Sequence, residues 1–196
     1  DADAPKEPAL ARGVYHNSRG EFLQGDGGVT AVWKEVLAQL EDGCIHALCF
    51  THILAELGDL ERAERLAALW PREDPRAYCP HLYQLVKAWK GGNPEAALRG
   101  LADMYGGLPN YLRGEILREI GRDREAVQAF RLFRRQPSWN FEAGATWAYP
   151  RSFYFEARSL ERLGLRDEAL RAAERLLRLW KHADSDLPML AEAKAL

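Results

Sequence analysis

The sequence predicts an all-α fold, a right-handed solenoid of antiparallel helix pairs closed at its C-terminal end by a capping helix. Three observations carry this expectation. A short phrase recurs along the chain: Leu57-Gly58-Asp59-Leu60-Glu61-Arg62-Ala63, then Gly91-Gly92-Asn93-Pro94-Glu95-Ala96-Ala97, Ile120-Gly121-Arg122-Asp123-Arg124-Glu125-Ala126 and Leu163-Gly164-Leu165-Arg166-Asp167-Glu168-Ala169. Each copy sets a glycine five residues ahead of an alanine, which is what two antiparallel helices need when a tight turn joins them and their first contact is close. Between these turns, apolar residues return at the 3.6-residue helical period. Pro75 and Pro109 each fall seventeen residues after a turn glycine, where a second helix must stop and the next pair begin.

Taken in order, residues 1–9 are polar and broken by Pro5 and Pro8, and read as a linker or disordered start. A divergent pair is expected over 10–42, where Gly25 lies thirty-three residues before Gly58 and Val29, Val32, Trp33, Val36, Leu37 and Leu40 form an apolar stripe. Four clearer repeats follow over 44–75, 78–109, 110–137 and 150–181. Their helices are expected near 44–57 and 60–70, 79–90 and 94–105, 110–120 and 123–135, and 151–163 and 166–181. Spacing between turn glycines runs 33, 34, 29 and 43. The short interval predicts that the helix at 110–120 has lost about a turn at its start. The long one predicts an inserted loop over 135–150, holding the aromatic residues Trp139, Phe141, Trp147 and Tyr149. A capping helix over 186–196, with Pro188 in its first turn, would cover the end of the stack through Leu187, Leu190 and Leu196.

Composition narrows the function classes. The 196 residues are 47% apolar, ample for a solenoid core. A net charge of −2 conceals an asymmetry: residues 1–58 carry nine acids and four bases, and residues 111–181 carry fifteen bases and ten acids. The basic stretches are laced with Glu and Asp at helical spacing, as on a solvated, ion-paired face, so nucleic-acid binding is not expected. Cys44, Cys49 and Cys79 are odd in number and form no disulfide framework, which favours a reducing, cytoplasmic compartment. No membrane span or signal peptide is visible. The start at Asp1 rather than Met predicts trimming or processing.

A period near thirty-four, small residues in the first helices (Thr51, Gly114, Ala157), the turn glycines and the alanines after them (Ala63, Ala97, Ala126, Ala169) together resemble the tetratricopeptide repeat. Residues 150–196 are similar to the C-terminal tetratricopeptide regions of multidomain bacterial signalling proteins such as eukaryotic-like Ser/Thr kinases. The resemblance implies a sensory or docking module. No Gly-rich phosphate loop, His-Arg-Asp loop or Asp-Phe-Gly segment is present, so kinase chemistry is not expected.

In that family the first helix of each pair lines a concave groove that grips an extended peptide or a helix. The resemblance places Leu48, His52 and Glu56, then Leu82, Val86, Trp89 and Lys90, then Tyr111, Glu115, Arg118 and Glu119, then Arg151, Tyr154, Arg158, Glu161 and Arg162 on its surface. Independently, Arg151, Tyr154, Arg158 and Arg162 are three or four apart and share one helix face. Arginine grips carboxylates bidentately and tyrosine offers flat apolar area, so an acidic-aromatic or C-terminal peptide is the expected partner. The competing expectation is that Glu156 and Glu161 neutralise these arginines. The lysine and asparagine pattern of carboxylate clamps for chaperone tails is missing, with Lys90 the lone lysine in these columns.

Cys44, His46, Cys49 and His52 point in diverging directions round one helix and cannot converge on a tetrahedral metal ion. Help from Cys79 or His81 would be needed, and no metal or cofactor is expected. His52 and Glu56, four apart, lack a matching nucleophile. The chain therefore reads as a binding scaffold, not an enzyme. The alternative is a structural subunit meeting partners through its convex face or the aromatic loop; a ligand sensor with a closed internal pocket fits tightly packed, alanine-rich pairs less well.

Overall fold

The computed structural model describes residues 60–68, 78–104, 106–136, 143–183 and 188–196. The hairpin expected over 10–42, the helix over 44–57 and the Cys44, His46, Cys49 and His52 set lie outside them. The described residues are all-helical, without a strand among them. Their helices are α1 (Leu60–Ala68), α2 (Tyr78–Lys90), α3 (Pro94–Ala102), α4 (Gly107–Glu119), α5 (Asp123–Arg135), α6 (Ala143–Arg162), α7 (Arg166–Leu179) and α8 (Pro188–Ala195).

Three turns close in the same way. Gly92, Gly121 and Gly164 have φ of 87°, 80° and 74°, the left-handed region where a Cβ is penalised. At the second of them Gly121 N–H donates to the Arg118 carbonyl at 3.2 Å and Arg122 N–H to that of Leu117 at 2.8 Å. This pair of bonds satisfies carbonyls the helix end would otherwise orphan. Gly92 with Asn93, and Gly164 with Leu165, repeat it. Beyond each turn the expected alanine is buried: Ala97 and Ala126 are 0% exposed and Ala169 2%. Ala63 on α1 is likewise 0% exposed.

Consecutive helices pack on one another, and α4 also rests on α6, and α6 on α8. Between α4, α5 and α6 the rings of Tyr111, Phe130, Phe133 and Phe155 form a cluster with Tyr111–Phe133 and Phe130–Phe155 centroids 5.6 and 6.0 Å apart. Of the cap expected over 186–196, the helix starts at Pro188 and packs on α7 and α6; Leu190 and Ala193 are each 4% exposed, Leu196 is half-buried, and Leu187 lies outside the described residues.

Three boundaries depart from the sequence expectation. The helix expected at 110–120 is not shortened: α4 starts at Gly107 and has 13 residues. Pro109 opens this helix instead of closing the one before, because first-turn N–H groups have no intrahelical acceptor to lose. The short glycine interval arises in α3, which has 9 residues where α5 has 13 and α7 has 14. The third departure is α6, a 20-residue helix carrying Pro150 inside it, so that 143–150 is helical where a loop was expected. Proline removes one helical hydrogen bond. Burial of Ala148, Pro150 and Phe153 on either side offsets that loss.

Candidate peptide-binding face

The groove columns expected from sequence fall on α2, α4 and α6. Most of their apolar members are not open to solvent: Leu82, Val86, Trp89 and Tyr111 are at most 4% exposed and Tyr154 is 8% exposed. They form a floor. Charged members rise around it, with Lys90, Glu119, Glu161 and Arg162 exposed and Arg118, Arg151 and Arg158 half-buried.

Contacts between these columns run from helix to helix. Trp89 Nε1 of α2 donates to Glu119 Oε2 of α4 at 3.1 Å, and Lys90 Nζ lies 3.6 Å from the centroid of the Trp89 ring. From α4, Glu115 Oε1 lies 3.6 Å from Arg151 Nη2 of α6. The Arg118 guanidinium stacks 4.6 Å over the Phe155 ring, which Arg151 approaches at 5.4 Å. Arg162 donates through Nε to Asp123 Oδ2 at 2.9 Å and through Nη2 to the Arg118 carbonyl at 3.2 Å. At the cap, Tyr154 Oη donates to Glu192 Oε2 at 2.5 Å, and Arg158 Nε stands 3.7 Å from that oxygen.

These pairs shift the groups they hold. Burial raises the pKa of Asp123, but hydrogen bonds from Arg162 and Ser159 more than offset this and hold the carboxyl below its usual value. The Tyr154 hydroxyl is pushed up to about 12, first by burial and then by its bond to Glu192.

Arg151, Tyr154, Arg158 and Arg162 do share one face of α6, as their spacing requires. Of the two expected acidic partners, Glu161 pairs with Arg158 at 2.8 Å, whereas Glu156 faces α5, where it accepts from Arg131 Nε at 2.6 Å and from Arg134. Asp123, Phe155 and Glu192 belong to the face without having been expected there. Phe155 adjoins Tyr154 in sequence, but nothing local marks Asp123 or Glu192.

No protein-family model, curated protein or solved structure matches this chain.

Of the aromatic residues expected in a loop, Trp139 and Phe141 lie outside the described residues and Trp147 falls within α6. Tyr149 is also helical; it is 42% exposed, with its ring 5.4 Å from that of Phe153 in an edge-on arrangement. Among the described residues no cluster of three His, Cys, Asp or Glu is placed to hold a metal, and no helix is long and apolar enough to cross a membrane. His81 is exposed on α2.

Proposed function

We propose that this chain is a tetratricopeptide-like scaffold, a right-handed superhelix that binds a peptide or helix of a protein partner on the face formed by α2, α4 and α6, and that it performs no catalysis. Repeated turn closures, a buried alanine column and a capping helix support the repeat reading. The binding reading rests on one observation: an aromatic floor bordered by charged side chains already held in place by contacts between successive first helices. Such preorganisation leaves little side-chain entropy to lose on binding. Lys90, Arg118, Arg158 and Arg162 favour a partner segment bearing carboxylates, while the buried rings beneath them hold the face rigid. A docking role in a bacterial signalling protein is the matching biological context.

The structural-subunit reading draws on Leu132, Leu170 and Leu179, which are 42%, 37% and 42% exposed on α5 and α7. Singly scattered leucines are ordinary surface, and they favour that reading less than the charged face favours peptide binding.

Binding of a library of acidic-aromatic peptides, with free and amidated C-termini, tests the proposal. Arg158→Glu and Lys90→Glu are suitable variants, because neither residue holds a buried carboxylate. Arg151 and Arg162 are unsuitable, since both reach buried acids on other helices. Peptides selected by the wild type and lost by both variants, with helicity unchanged, support the face. Equal selection by all three proteins overturns it.

A further inference from the structure

The far side of α6 carries a second feature. At about 100° per residue, Tyr149, Phe153 and Glu156 lie opposite Arg151, Tyr154 and Arg158. They floor a half-open cleft of about 440 Å³, walled by Arg131, Arg134 and Arg135 of α5 and by Glu168, Arg171 and Arg175 of α7. Five arginines face two glutamates there.

The glutamates are already committed. Glu156 accepts from Arg131 and Arg134, and Glu168 Oε2 accepts from Arg131 Nη2 at 2.7 Å. Arg134 also donates to Ser152 Oγ at 2.9 Å, and its guanidinium covers the Phe153 ring at 4.2 Å. Two guanidinium groups are thereby fixed in the wall. Arg171 and Arg175, one helical turn apart, are exposed, and among the described residues neither makes a hydrogen bond or salt bridge. Like charges at this spacing repel, and an anion between them relieves the repulsion. Tyr149 adds an aromatic surface to the lining that is still 42% exposed.

We infer that this cleft binds a small phosphate-bearing polyanion, with phosphate oxygens on Arg171 and Arg175 and any ring it carries against Tyr149. The volume matches ligand sites for small molecules. Guanidinium groups meet phosphate bidentately, and a net charge of three positive across the lining suits several phosphate charges better than one carboxylate. The two sources of such chemistry are a nucleoside triphosphate and an inorganic polyphosphate.

Calorimetric titration of the whole chain at low salt with ATP, sodium tripolyphosphate, adenosine and an oligoglutamate peptide separates the outcomes. Saturable binding of ATP or tripolyphosphate is expected, weakened at least tenfold in the Arg171→Glu, Arg175→Glu double variant and unchanged in Arg158→Glu on the opposite face. Tighter binding of ATP, reduced to the tripolyphosphate level by Tyr149→Ala, assigns a nucleotide; equal binding that ignores Tyr149 assigns inorganic polyphosphate. Circular dichroism checks that the exposed substitutions leave the helices intact. Absence of binding by both phosphate compounds, persistence of it in the double variant, or equally tight binding of oligoglutamate overturns the inference.

Discussion

Leu85 of α2 fills the space that a side chain at Gly100 of α3 would need: a Cβ built there would overlap Leu85 Cδ2 and sit 3.2 Å from Cδ1. In the next pair the sizes are exchanged. Gly114 of α4 faces Phe130 of α5, whose Cε1 would be 2.5 Å from a Cβ on the glycine. Both hairpins thus keep a close approach by matching one bulky residue with one bare backbone, and they differ in which helix supplies the bulk.

Gly114→Ala should destabilise the fold by about 1–3 kcal/mol, because Phe130 is 0% exposed and has nowhere to move. Adding Phe130→Leu should recover part of the loss. Gly100→Ala should cost less, since Leu85 is only half-buried and can turn aside, while the helix gains about 1 kcal/mol from losing a glycine. Urea denaturation of the three variants measures this order.

Removing the Glu156 charge should be severe. Arg134 and Glu156 have side chains only 9% and 6% exposed, so Glu156→Gln leaves a buried cation without its anion, at a cost of about 3–5 kcal/mol. Replacing the pair together, as Arg134→Met with Glu156→Leu, should be much milder. A double-mutant cycle in denaturant resolves the coupling.

Acid should loosen the joint between α5 and α6. The Asp123 carboxyl has a folded pKa below its unfolded value of about 3.9. Its contribution is therefore fully present above that unfolded value and is lost as pH falls through the lower folded one. Asp123→Asn should flatten the decline in stability below about pH 4, read as the midpoint of thermal unfolding against pH.

At the alkaline end the sign reverses. Tyr154 keeps its proton to about pH 12 in the folded chain, against about 10 when unfolded. Its contribution is complete below pH 10 and disappears as pH rises through 12. Tyr154→Phe should remove this loss, and the absorbance of tyrosinate should show one late-titrating hydroxyl fewer than in the wild type.

Local signals in the sequence located much of the fold. The helix expected at 123–135 is α5, Asp123–Arg135, because its turn glycine, first-turn acids and apolar period all lie within a few residues of it. The start of α6 was not legible: Pro150 reads as a stop, and only packing against neighbouring helices makes its lost hydrogen bond tolerable. For the candidate face, spacing alone put Arg151, Tyr154, Arg158 and Arg162 on one side of a helix. Their acidic partners are distant, with Arg162 and Asp123 separated by 39 positions and Tyr154 and Glu192 by 38, and no local period reports such pairs. The arginine cleft was obscured for the same reason: Arg131 and Arg171 come from different helices, and the interleaved glutamates made each helix look like an ordinary solvated face.

The reach of these joints bears on how the chain is made. The hydrogen bond with the greatest span among the described residues, Arg162 to the Arg118 carbonyl, covers 44 positions, and most helices rest on the one just before them. A nascent chain can therefore close each joint soon after its second half is synthesised, without waiting for the C-terminus. Short loops to close at every step also favour rapid folding. Assembly would proceed vectorially, with α8 docking once α6 and α7 have formed, so a chain interrupted before α8 would leave bare the apolar surface on which Leu190 and Ala193 pack.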